Sequence, residues 1–303
     1  MSLTDDARGV LNGLFGDLLA ERGFPLAIPM TVRCAGTTPS VCVFVPGLMS
    51  TDRIWEFPGR PGATYGSRLA ADRNVTPAFV RYNSGRHVSS NGRELALLLD
   101  RLVAGWPGGV DEISLVGHSM GGLVIRSACH HATLDGRPWP GLVRRVILLG
   151  APLAGAPLEK LVHTADFTLT TIWNPVTRLV GRCLRRRSAG IKDLRFGALV
   201  DEDWAGRDPD RPGWPCRHPV PLLPGARHYA IGGTVVGDGG RFLGRLLGDP
   251  LVTGWSAEGR CLSTWGRPLL PDTNVRHLTG VGHLPLAHHD AVYAQMLAWW
   301  DGA

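Results

Sequence analysis

Along the chain, short uninterrupted apolar runs alternate with longer stretches in which apolar positions recur every three or four residues. The first such stretch, residues 5–21, places Val10, Leu11, Leu14, Leu18 and Leu19 on one side and predicts an amphipathic helix. A strand over 27–33 and a fully buried one over 41–45 follow. The pattern then predicts a strand over 77–82, a helix over 91–103, a strand over 112–116, a helix over 121–130 and a strand over 145–149. Apolar strands of this kind, separated by helices of about ten residues or more, belong in a parallel sheet covered on both faces. The rhythm stops after Leu149. Residues 152–227 hold Trp173, Trp204, Trp214 and the proline-rich DPDRPGWPCRHPVPLLPG, and they read as an insertion over the carboxyl edge of the sheet. It resumes with strands over 229–235 and 274–278 and a closing helix over 290–300. With no internal repeat or flexible linker, residues 1–303 read as one domain, and 152–227 as a cap inserted within it.

Composition narrows this picture. A chain of 303 residues with 44% hydrophobic and 19% charged residues can bury a full core. No apolar run approaches the roughly 18 residues that span a bilayer. The N-terminal MSLTDDARGV lacks the apolar core of a signal peptide, so the expectation is a cytoplasmic protein without stable membrane insertion. The net charge of +6 is an arginine excess, Lys160 and Lys192 being the only lysines. Its one dense cluster, Arg182 with Arg185, Arg186 and Arg187, reads first as a solvated helix face and second as a site for phosphate or anionic lipid. No nucleic-acid-binding motif accompanies it. Six cysteines without a CxxC pair are expected as mostly buried free thiols, a Cys183–Cys216 bridge being the alternative.

The chemistry concentrates around Gly117-His118-Ser119-Met120-Gly121, a G-x-S-x-G pattern between a predicted strand and a predicted helix. A nucleophile presented on a sharp strand-to-helix turn requires that context. A serine hydroxyl is a poor nucleophile until a base takes its proton, and the base needs an orienting acid. His283, in TGVGHLPL, follows the last predicted strand and precedes the final helix, which makes it the base. For the acid, Asp249 in LLGDPLV comes first, because an apolar pair after it anchors its loop; Asp238 in VVGDGG is second and Asp272 a poor third. Two backbone donors for a developing oxyanion are expected from Met120, just after the serine, and from Leu48 in PGLMS, which turns at Gly47. His118 cannot serve as its neighbour's base and is expected to pack beside it. His288 and His289 are adjacent at a helix start and should diverge, so no metal site and no cofactor is expected.

Together, VFVPGLMS, LVGHSMGG, LLGAPLAGAP, GDPLV and GVGHL give the chain its resemblance: it is similar to bacterial serine lipases and esterases of the α/β-hydrolase superfamily. Two positions depart from the usual lipase pattern, Pro46 standing before the oxyanion loop and Leu-Ala-Gly at 153–155. The resemblance implies an α/β-hydrolase fold: a mostly parallel sheet, helices on both faces and an inserted cap. It also implies a cofactor-independent carboxylic ester hydrolase acting on a small-molecule or lipid ester, with Ser119, Asp249 and His283 as its triad. Met49, His118, Leu153, Phe167 and Trp173 would bind substrate, with Leu48 and Met120 adding to an apolar acyl pocket. The cap would turn Leu161, Phe167, Ile172 and Trp173 toward that pocket and its arginines toward solvent. An amidase, thioesterase or acyltransferase with the same triad is the alternative, and a catalytically inactive binding protein is a weaker one. Nucleic acid is not an expected partner, and oligomeric state is left open.

Overall fold

The strand Ser40–Val45 (β2) shows how this sequence builds its sheet. Every residue from Val41 to Val45 is fully buried, yet the side chains go to two different places. Val41, Val43 and Val45 enter one core, while Cys42 and Phe44 enter another. That alternation is the period of two of a strand covered on both faces. A computed structural model of the protein describes residues 4–153, 155, 188–207, 218–234 and 269–302.

The remaining strands are Thr31–Cys34 (β1), Thr76–Arg81 (β3), Glu112–His118 (β4), Val143–Leu149 (β5), Arg227–Thr234 (β6) and Val275–Thr279 (β7). Among the described residues they form one seven-stranded sheet in the order β1-β3-β2-β4-β5-β6-β7. Only β1 runs antiparallel, against β3; all other pairs are parallel. From β2 the chain moves outward to β3 and then returns to the other side of β2 to lay down β4. The reversal leaves a crevice at the carboxyl ends of β2 and β4, where open α/β sheets bind their ligands.

Helices cover both faces. Val88–Ala104 (α3) and Met120–Leu134 (α4) pack on the face that buries Val43, Leu115 and Leu148. Tyr65–Arg73 (α2) and the last helix, Asp290–Asp301 (α6), cover the face that buries Phe44, Val116 and Ile147. The first helix, Asp5–Glu21 (α1), has the bounds its periodicity predicts. Ala189–Phe196 (α5) lies within the 152–227 segment and docks on α1: the Ser188 hydroxyl donates to the Gly13 carbonyl at 2.6 Å. Among the described residues no helix is long and apolar enough to cross a membrane.

Three elements differ from the sequence expectation. β1 begins at Thr31 rather than 27, because the chain before it is tied to α1; the Ile28 N–H donates to Asn12 Oδ1 at 2.9 Å. α2 has no apolar stripe to announce it, burying only Tyr65, Gly66 and Leu69, and its start is set by a capping box between Thr64 and Ser67. α5 lies where no helix was expected. Of the cysteines, Cys42 and Cys129 are buried free thiols and Cys34 is exposed, whereas Cys183, Cys216 and Cys261 lie outside the described residues.

Two histidines are enclosed by this framework and stay neutral. Burial pushes His118, at the end of β4, down to about 3, and His228, in β6, down to about 4. Unfolding exposes both to water, where an imidazole takes a proton near pH 6.5. Between that value and the folded ones the unfolded chain binds more protons, so stability is fully present above about pH 6.5 and is lost as pH falls. In urea unfolding followed from pH 7.5 to 5, the His118→Gln variant, which keeps a side-chain N–H but cannot titrate, is expected to lose stability less steeply than wild type by up to roughly 1 kcal/mol per pH unit. Equal slopes would show that His118 does not carry this proton. Truncating Leu115, 1% exposed on the central β4, to Ala is expected to cost about 2–5 kcal/mol, against less than about 0.5 kcal/mol for Leu134→Ala, 70% exposed on α4.

Candidate active site

Ser119 sits between β4 and α4 with φ 52° and ψ −124°, a backbone conformation that non-glycine residues rarely adopt. Its N–H donates to the Leu149 carbonyl at 2.8 Å, and its own carbonyl accepts from the Gly122 N–H at 3.0 Å. The surrounding glycines are required by lack of space. A Cβ on Gly117 would lie 2.6 Å from the Gly122 nitrogen, one on Gly122 would lie 2.6 Å from the Ala151 Cβ, and one on Gly121 would meet the Val45 and Pro46 carbonyl oxygens. The turn is therefore pressed against the ends of β2 and β5.

The loop after β2 crosses directly over the serine. A Cβ built on Gly47 would be 3.0 Å from the Ser119 Cβ and 3.1 Å from His118 Nδ1. Beyond it the chain turns at Met49, with φ 60°, and the Met49 N–H donates to Ser84 Oγ at 3.0 Å. Met120 is the first residue of α4, so its N–H belongs to the helix turn that has no internal acceptor.

His283 reaches the same place from the loop after β7. Its ring lies against the backbone at the end of β5, where a Cβ on Gly150 would be 3.0 Å from both Nδ1 and Cε1. His118 supports it from below: its Nε2–H donates to the His283 carbonyl at 3.0 Å, and the two rings are 4.9 Å apart. That contact fixes the His118 tautomer with the proton on Nε2. Downstream, the Tyr65 hydroxyl of α2 donates to the Leu286 carbonyl at 3.0 Å and accepts from the His289 N–H at 2.7 Å. His288 and His289 diverge as the sequence suggests. Nδ1 of His288 donates to the Ile54 carbonyl at 2.9 Å, whereas the His289 ring caps α6. Among the described residues no cluster of His, Cys, Asp or Glu is placed to hold a metal ion.

Ser119, His118 and His283 form the floor of a cavity of about 620 Å³. Of the residues expected to line it, Leu48, Met49 and His118 do so. Two do not. The side chains of Met120 and Leu153 are packed into the larger core, because α4 and the start of the post-β5 loop turn them inward toward the sheet, and neither is among the described residues of the cavity wall. Phe167, Trp173, Leu161 and Ile172, the first two triad-acid choices Asp249 and Asp238, and the arginines 182 and 185–187 lie outside the described residues, while the third choice, Asp272, is exposed just before β7. The sequence reading missed two parts of the wall, Val10 and Leu14 of α1 and the loop carrying Phe57. A signal existed in Gly9, Gly13 and Gly16, which follow the spacing of one helix face and so mark a side where α1 approaches another backbone closely.

Residues 83–187 match the family described as PGAP1-like alpha/beta domain. No curated protein matches the sequence. Among solved structures, the mature form of the Bacillus licheniformis lipase BlEst2 superposes with a TM-score of 0.55 at 18% identity, over 90% of this chain and 98% of that one. An epoxide hydrolase of the α/β-hydrolase superfamily from metagenomes of hot environments gives 0.50 at 17% identity, over 92% of this chain and 97% of that one. The sheet order, the turn at Ser119 and these likenesses identify the chain as an α/β-hydrolase-fold protein resembling the lipases and esterases of that superfamily.

Proposed function

We propose that this protein is a serine hydrolase that cleaves carboxylic esters with apolar acyl or aromatic groups through an acyl-enzyme, without a cofactor. The observation that carries the reading is the rare backbone geometry of Ser119 at a strand-to-helix turn that shares one cavity floor with His283. A hydroxyl held up on such a turn, with an imidazole beside it, has the parts that acyl transfer needs.

In this scheme the Ser119 Oγ attacks the ester carbonyl carbon while its proton passes to His283. The oxyanion that forms accepts from the Met120 N–H and the Leu48 N–H. Met49, whose N–H is engaged by Ser84, is the less suitable donor of its loop. Collapse expels the alcohol, which leaves with the proton from His283. A water then repeats the sequence on the acyl-enzyme and releases the acid. Asp249 would hold the imidazole in its correct tautomer, with Asp238 as the alternative. His118, neutral because it is buried, would act as a fixed prop under the His283 backbone and as part of the substrate floor. The segment 152–227 would be a cap within the single domain 1–303, with Phe167 and Trp173 toward the acyl group. The described portion supports this by placing Leu194 of α5 at the cavity.

A fluorophosphonate probe is expected to label wild type and not Ser119→Ala, and the substitution is expected to lower kcat on a short-chain aryl ester by at least about 10³-fold with the fold intact. Substantial turnover by folded Ser119→Ala would remove the serine from the mechanism. Rates on matched ester, thioester and amide substrates test the reaction class, with the ester expected to be fastest. Asp249→Asn is expected to lose around 10⁴-fold in kcat and Asp238→Asn to stay close to normal; the opposite pattern would transfer the role to Asp238.

A further inference from the structure

Asp6, Val10 and Leu14 of α1, which precede the sheet in sequence, line the cavity alongside the loop after β2. α1 lies across the turn that follows β2 at unusually short range. A Cβ on Gly13 would be 2.9 Å from the Met49 Cα and N, one on Gly9 would be 3.1 Å from the Met49 carbonyl oxygen and from Thr51 Cγ2, and one on Gly16 would be 2.6 Å from Asn83 Cγ. With only hydrogens on that face, the helix backbone rests on the 49–51 turn. It is pinned there along its length. Arg81 bridges Asp5 at 3.0 Å and Asp52 at 2.7 Å, Asn83 donates to the Gly16 carbonyl at 2.7 Å, and Ser188 holds the Gly13 carbonyl.

The residues next to those glycines, Val10 and Leu14, are thereby carried to the cavity. Leu14 packs with Ile191 of α5 in a small apolar cluster to which Val10, Phe15, Leu48 and Met49 are added, and which Leu48 joins to the larger core. The cluster stands directly beside the loop that crosses Ser119. It joins three segments far apart in sequence: the first helix, the turn after β2 and the helix that ends the 152–196 stretch. A cavity of this size with an apolar, pre-formed wall accepts a ligand with a substantial apolar body.

We propose that α1 is a specificity element of the substrate site, in which Val10 and Leu14 form the apolar surface along which the acyl chain of the ester lies. The inference rests on the ester-hydrolase reading for its substrate, while the apolar wall itself does not depend on Ser119 chemistry. A wall of this kind discriminates by length, since each methylene held against it is worth roughly tenfold or more in kcat/KM.

The test measures kcat/KM for p-nitrophenyl acetate and p-nitrophenyl octanoate, and separately the affinity for octanoate by calorimetry, in wild type, Val10→Trp, Val10→Ala and, as a remote control, Leu134→Trp. Circular dichroism and the melting temperature establish that each is folded, and Val10→Ala provides a mild truncation should the tryptophan be rejected. Val10→Trp is expected to lower the octanoate-to-acetate ratio at least about tenfold and to weaken octanoate binding by a similar factor. Val10→Ala is expected to move the ratio in a detectable way, and Leu134→Trp to leave both measurements unchanged. If the Val10 variants scale both esters equally and bind octanoate like wild type, or if wild type does not bind octanoate, α1 is not the acyl wall, whatever the hydrolase does. If no ester is turned over but octanoate binding still falls in Val10→Trp, the wall stands and the hydrolase reading fails.

Discussion

Much of this structure can be understood as what is needed to hold Ser119 at a positive φ. That conformation costs on the order of 1–3 kcal/mol and persists only when its surroundings over-determine it. The surroundings are the carboxyl ends of the two strands on either side of β4. β5 supplies the Leu149 carbonyl that fixes the serine N–H, β2 supplies the Val45 carbonyl against which Gly121 packs, and the residues just after β5 supply Ala151 opposite Gly122. These contacts require β2, β4 and β5 to be adjacent, parallel and in register, with Val45 beside Gly117 and His118 beside Leu149. Each of these strands is buried on both faces, which explains why the cores on either side share none of their residues.

The same geometry decides what is close to the serine. Because the sheet order reverses between β3 and β4, the loops after β2 and β4 leave the sheet side by side, so Gly47 passes over Ser119 without any special folding of its own. His118 occupies the last position of β4 and is enclosed by the two loops. Its hydrogen bond to the His283 carbonyl then couples the Ser119 turn to the loop that carries His283. The charge balance of the chain plays little part here. Its arginine pairs with Asp290, from Arg60 and Arg68, are largely solvent-exposed, whereas the partly buried Arg81–Asp52 pair helps hold α1 in place.

How much of this could be read from the sequence varied with the range of the interaction. β2, β4 and β5 are apolar runs because both of their faces are buried, and α1 has a regular stripe, so those elements were visible from local pattern. α2 was not, since it buries three residues of nine and depends on a Thr64–Ser67 box for its start. Ser119, His283 and the Gly47 turn were legible because a strained turn, a late loop and a crossing loop each demand particular residues at particular points in chain order. The roles of Val10, Leu14 and Phe57 in the cavity were not, because they arise from packing between segments dozens of residues apart. Met120, which follows the serine, and Leu153, at the start of the loop after β5, were expected to line the pocket but pack into the larger core, since a helix start and a tight loop set side-chain direction independently of proximity.

The grip of Tyr65 on the chain beyond His283 has a kinetic meaning. The hydroxyl meets residues more than 220 positions downstream, and the strand that delivers His283 is the outermost of the described strands on its side of the sheet. Contacts of such sequence separation carry a higher loop-closure entropy than local ones, which would place them after the local contacts in folding. During synthesis, where earlier segments organise first, the turn at Ser119 can form against β2 and β5 long before an imidazole is available to stand beside it. Ser119 and His283 would then come together only at the docking of the C-terminal loop and helix, so that the cavity both residues line is complete only once residues 283–288 are in place.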